Sequence, residues 1–163
     1  MSTPAPRAWH VGDWGFLGWL ETALKLVGVG IGIAALVSAA GHPADGPGGA
    51  RLAEAVILGA LCLALFAAIA DRFADREIVG MAFILAMNAG HIAMLVALGR
   101  DPGVGSYLVA FAALMLAGDL VKLVFLATTG FTVRSVPPAV VYGLVGTFVT
   151  GYVALIVIEL AAR

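Results

Sequence analysis

The sequence predicts an all-α integral membrane bundle of five transmembrane helices, a single domain over residues 1–163 with its N- and C-termini on opposite sides. Three observations carry this expectation. Of 163 residues, 62% are apolar and 12% are charged, whereas soluble domains average roughly 45–50% and about 25%. The mean hydropathy is +1.06. Five apolar stretches, each about 20 residues long, match the length a helix needs to cross the hydrocarbon of a bilayer. The connections between them are short, so no soluble domain fits and any activity belongs to the bilayer, its surface or a membrane partner.

The first span runs from Phe16 to Ala40. Trp9, Trp14 and Trp19 are spaced to mark the headgroup level at its start, as aromatic belts do. It carries Glu21 and Lys25, and the face bearing them also bears Gly18, Gly28 and Gly32, a stripe that lets another helix come close. Val37-Ser38-Ala39 resembles a signal cleavage site, but Glu21 and Lys25 displace the apolar run too far along the chain for a signal peptide. Gly41 to Gly49 is a turn-rich loop of Gly, Pro, Asp and His. The second span, Leu52 to Ala70, contains the only cysteine, Cys62. An intrachain disulfide and a cysteine metal site are therefore excluded. Glu54, near the start of this span, reads as a solvated interfacial residue, and so does Glu159 at the end of the fifth.

Asp71-Arg72-Phe73-Ala74-Asp75-Arg76-Glu77 forms the next stop, with opposite charges able to pair along a short helical extension. The third span, Ile78 to Leu98, contains Asn88 and His91 flanked by Met87 and Met94, and a small-residue face of Ala82, Ala86 and Gly90. Asn88 and His91 are expected to hydrogen-bond between helices. A membrane histidine can also ligate haem or a pigment magnesium, but His10 and His42 lie outside the spans, which excludes bis-histidine haem. No cofactor and no metal is expected. Arg100-Asp101-Pro102-Gly103 precedes the fourth span, Tyr107 to Ala127, which holds Asp119 and Lys122. Arg134 and Pro137-Pro138 precede the fifth, Pro138 to Glu159, and the prolines suit a helix start. Gly143, Thr147 and Gly151 recur there every four residues as a packing face.

The four ionisable residues inside spans are the candidate site. A charge near the bilayer centre costs from about 2.5 to more than 10 kcal/mol, so such residues face partners or water. At 1.5 Å per residue, Glu21 and Lys25 lie about 7 and about 13 Å into the first span, while Lys122 and Asp119 lie about 9 and about 13 Å from the same surface. Depth and sign therefore pair Glu21 with Lys122 and Lys25 with Asp119 in an electrically closed quartet. The alternative is a site that exchanges protons or a cation, with Asp119 its deepest carboxylate.

Orientation follows from Arg and Lys in short loops. The N-terminal side carries Arg7, Arg72, Arg76 and Arg134; the other carries Arg51, Arg100 and Arg163. This places the N-terminus in the cytoplasm. A net charge of −1 provides no basic surface for nucleic acid. No P-loop, HExxH or GxSxG motif occurs, so no enzyme is expected. The expected partners are the lipid bilayer and either other membrane subunits or further copies of the chain. The leading expectation is a non-catalytic accessory or assembly subunit of a larger membrane complex. The second is a small proton- or ion-coupled transporter or channel built on Glu21, Lys25, Asp119 and Lys122.

Overall fold

Long apolar runs interrupted by Gly, Pro and charge fold as rods separated by short stops, and this governs the architecture. A computed structural model describes residues 10–42, 49–75, 81–99, 106–130 and 137–161. A 3-10 turn at Val11–Asp13 leads into α1 (Gly15–Gly41), followed by α2 (Ala50–Phe73), α3 (Met81–Leu98), α4 (Ser106–Thr129) and α5 (Pro138–Ala161). The protein is thus all-helical. Four helices, α1, α2, α4 and α5, are long and apolar enough to cross a membrane. The shorter α3 is equally apolar, and residues 78–80, expected to begin it, lie outside the described residues.

Helix ends follow local chemistry. The Val140 and Val141 amides at the start of α5 donate to the Pro137 carbonyl, and Pro138 loses nothing there because a first-turn N–H has no helical partner. Gly130, at φ 70°, takes the left-handed conformation just past α4, the usual place for a residue without a Cβ penalty. The α2 helix runs beyond Ala70 through Asp71, Arg72 and Phe73, so these residues belong to its last turn.

The helices form a closed ring in the order α1, α4, α3, α5, α2 and back to α1. The tightest seam joins α1 to α4, and glycine explains it. A Cβ at Gly28 would sit 3.2 Å from Met115 Cε, one at Gly32 would meet Phe111 Cδ2 at 3.1 Å, and one at Gly118 would meet Lys25 Cγ at 3.0 Å. Gly18 differs from expectation: the space beside it is filled by Trp14 of the preceding turn, with Trp14 Cβ only 2.5 Å from where a Gly18 Cβ would lie. The loosest seam joins α2 to α5. Gly143 meets nothing within 4 Å, and a groove of about 670 Å³ opens there between Ala60 and Ala64 on one side and Gly146 and Thr147 on the other. Thr147 turns its hydroxyl back onto the Gly143 carbonyl at 2.9 Å, while Gly151 packs against Leu61.

The radial distribution of residues is inverted relative to a water-soluble globule. Phe16 and Leu63 are 77% and 71% exposed, whereas Glu21, Glu54, Arg72, Asp119, Lys122 and Glu159 are buried. Exposed apolar side chains around buried charges suit a surface facing hydrocarbon.

Candidate functional site

The ionisable residues of α1 and α4 meet where the glycines allow the helices to close. Lys25 Nζ lies 2.8 Å from Glu21 Oε1 and 2.7 Å from Asp119 Oδ1. The expected Lys25–Asp119 pair therefore forms, and Lys25 bridges both carboxylates. The second Glu21 oxygen is held by Arg72, at the end of α2. Lys122 is buried beside them and adds its attraction to Glu21. The cluster is thus a quintet. Among the described residues it joins three cations and two carboxylates and is not the neutral quartet expected from spacing.

Arg72 was assigned to a loop charge cluster. In the structure its guanidinium is buried, lying 4.6 Å over the Trp14 ring. This cation–π contact gives it a second source of stabilisation out of water. Trp14 accordingly leaves the expected headgroup belt: it is buried and packs in tilted contact with Trp19 at 5.3 Å and Phe73 at 5.5 Å between ring centres. Trp19 remains half exposed, and Trp9 lies outside the described residues. A signal for Arg72 was present. Leu58, Leu65, Ile69 and Arg72 recur at helical spacing and form one buried face of α2.

His91 extends the cluster toward the middle of the bundle. Its Nδ1 lies 3.4 Å from Asp119 Oδ2, and its Nε2 lies 2.8 Å from the Tyr152 hydroxyl. The carboxylate favours a proton on Nδ1, which leaves Nε2 to accept from Tyr152. This is the helix-to-helix hydrogen bond expected of His91, made between α3 and α5. A macrocycle metal would have to displace one of these two contacts. Asn88 behaves differently: its Nδ2 donates to Ile84 O within α3 at 2.9 Å, so it does not bridge helices. Tyr152 was not foreseen, because one tyrosine in an apolar span has no distinguishing pattern. Its pocket is nonetheless specific, since a Cβ at Gly90 would lie 2.6 Å from Tyr152 Cδ2. A small, partly open cavity of about 40 Å³ touches Lys25, Arg72, Asp119 and Lys122, enough for two or three waters.

A second polar cluster occupies the other end of the ring. Arg51 Nη1 lies 2.6 Å from Glu54 Oε2 and 2.8 Å from Glu159 Oε1. The expectation that Glu54 and Glu159 are solvated is therefore wrong: both are buried, and the part-exposed Arg51 guanidinium pairs with each of them. A cavity of about 300 Å³ opens beside them.

At the first end, the 3-10 turn is strapped to α2. The Val11 amide donates to Asp75 Oδ1 at 2.8 Å, and His10 Nδ1 lies 2.9 Å from Asp75 Oδ2. Asp75, at φ 55°, takes a left-handed conformation that Asp tolerates better than most residues. Its hydrogen bond and charge raise the His10 pKa. The Val11 amide, followed by His10, lowers that of Asp75.

No family model, curated protein or solved structure matches the chain. Fold and site together define a five-helix bundle with membrane-compatible helices and buried ionic clusters at both ends.

Proposed function

We propose that the chain is a multi-pass membrane protein whose five helices all cross the bilayer, with a cytoplasmic N-terminus and the C-terminus opposite, and that it is a non-catalytic accessory or assembly subunit of a larger membrane complex. The carrying observation is the near closure of the charged quintet: Glu21 is 0% exposed and Arg72, Asp119 and Lys122 are 2–3% exposed, with only the Lys25 side chain, at 15%, reaching the surface. A site that loads and releases an ion must open to one surface, whereas a clamp that fixes helix order does not. The open α2–α5 groove supports a neighbour beyond the chain, since small residues there leave room for a helix. Purification of the full chain in mild detergent should recover stoichiometric membrane partners, or a defined homo-oligomer, and the chain alone in liposomes should move neither protons nor cations.

A second reading, a small proton- or ion-coupled transporter, is favoured by one feature: Tyr152, His91, Asp119, Lys25 and Glu21 follow one another as a row of polar groups, its widest step the 3.4 Å between His91 and Asp119, with room for water beside Lys25 and Asp119. If the purified chain conducts protons or cations in liposomes and Asp119→Asn abolishes this while the bundle stays folded, the accessory reading fails.

A further inference from the structure

We propose that residues 10–14 form a hinged lid over the charged cluster, turning on Gly15 and latched to the end of α2 by Asp75, and that this lid is closed in mild acid and opens as the pH rises. The order of side chains along the bundle shows what it covers. Trp14 stands just before α1, and Glu21 and then Lys25 follow at increasing depth along that helix. The Arg72 guanidinium joins the two levels, since it pairs with Glu21 and lies 4.6 Å over the Trp14 ring. The indole is 1% exposed, seated among Trp19, Phe73 and Phe125 with Val11 of the turn packed against it. It caps the row of Arg72, Glu21, Lys25 and Asp119 at its N-terminal end.

Two features make this cap movable. Gly15, at φ 59°, takes the left-handed conformation, and a Cβ added there would meet nothing within 4 Å. The junction of Trp14 with α1 is thus a glycine bend with open space around it, at the end of an element, where hinge motion is absorbed. The turn beyond it, Val11–Asp13, buries no residue of its own. It is held at its two ends. The Asp13 and Trp14 amides donate to the His10 and Val11 carbonyls at 3.1 and 3.4 Å, which ties the indole to the turn. The Val11 amide and His10 Nδ1 engage the two oxygens of Asp75, and this latch is open to water, with the His10 and Asp75 side chains 59% and 43% exposed. Among the described residues, the charges that act on His10 are Asp75 across the seam and Asp13 within the turn, and the charge that acts on Asp75 is His10. Protonation of His10 strengthens the latch, and deprotonation leaves the Val11 hydrogen bond to hold it. The lid is independent of both functional readings, because it concerns access to the cluster and not what the cluster does.

Acrylamide quenching reads the lid in the full chain in maltoside micelles, with Trp9→Phe and Trp19→Phe leaving Trp14 as the fluorophore. Quenching should be weak at about pH 5.5 and at least about twofold stronger at about pH 9, a window that spans the histidine reference value and a change within reach of an exposed ion pair. Asp75→Ala should be strongly quenched at both. His10→Lys keeps its cation across the window and should remain weakly quenched at about pH 9. Gly15→Ala places a Cβ at a left-handed φ and should favour the open lid throughout. His10 and Asp75 lie outside the bundle core, and circular dichroism checks that the helices persist. The pH comparison is made within one chain and needs none of these further variants. Equal quenching of Trp14 at both pH values overturns the proposal, and so does an Asp75→Ala chain as well protected as its parent or a His10→Lys chain that opens.

Discussion

Lys25 bridges the two buried carboxylates, Glu21 and Asp119. Removing it leaves Glu21 with Arg72 and takes from Asp119 its 2.7 Å ion pair, with His91 Nδ1 3.4 Å away. Breaking one partner of a buried ion pair costs about 3–5 kcal/mol, while removing both can be close to neutral. Lys25→Met should therefore destabilise the bundle by about 3 kcal/mol, the lower bound because the Lys25 side chain is 15% exposed, and adding Asp119→Asn should recover part of the loss. Denaturant titration in micelles measures both. Gly90 is a second test at this scale. Gly90→Ala places a methyl against the Tyr152 ring and should cost about 1–3 kcal/mol, the usual cost of overpacking. It should also perturb the His91–Tyr152 hydrogen bond, which the histidine ring resonances report by NMR. If Gly90→Ala is as stable as the parent with unchanged resonances, Tyr152 does not occupy the position described.

Among the elements, the strap between the 3-10 turn and α2 is the pH-dependent one. His10 titrates higher when folded than when unfolded, so its contribution is fully present below its unfolded value and is lost as pH rises through the raised one. Asp75 titrates lower when folded, so its contribution is present above its unfolded value and is lost as pH falls through the lowered one. The strap should hold best from about pH 4 to about pH 6.5, the two reference values, and loosen on either side. Amide hydrogen exchange of Val11 across pH, after correction for intrinsic rates, would show a maximum of protection in that window; a flat profile would refute the assignment. The same element illustrates what the sequence conveys. Apolar runs located five helices because length and hydropathy are local properties, and depth along two runs located the Lys25–Asp119 pair. The short helical extension expected from Asp71 forms through Phe73, but the partners of Arg72 are not local: Glu21 and Trp14, distant in sequence, meet it. Glu54 and Glu159 failed for the same reason: burial of an end residue depends on the partner brought across the ring.

For the whole molecule, the ring order separates neighbours in sequence. The α3 helix packs on α4 and α5, and α2 closes the ring against α1 and α5, an order no periodicity could reveal. The proposed orientation is checked by thiol labelling, for which the buried Cys62 is a quiet background. In intact cells Arg163→Cys should react with an impermeant maleimide and Ser2→Cys should not; the reverse pattern would invert the topology.

The two ionic clusters also make the bundle an electrical object. Counted formally among the described residues, with His91 set aside, the Lys25 cluster carries one surplus positive charge and the Arg51 cluster one surplus negative charge. Arg72 and Glu54, both on α2, stand 18 residues apart, which is about 27 Å. An inward-negative membrane potential acts on a full charge crossing the bilayer with about 2.3 kcal/mol per 100 mV. In the proposed orientation, with the N-terminus in the cytoplasm, the protein would lie along that field with its positive end inward, and a copy inserted backwards would lie against it. Collapse of the potential would remove this preference, so in that orientation the resting voltage would itself help hold the molecule the right way round.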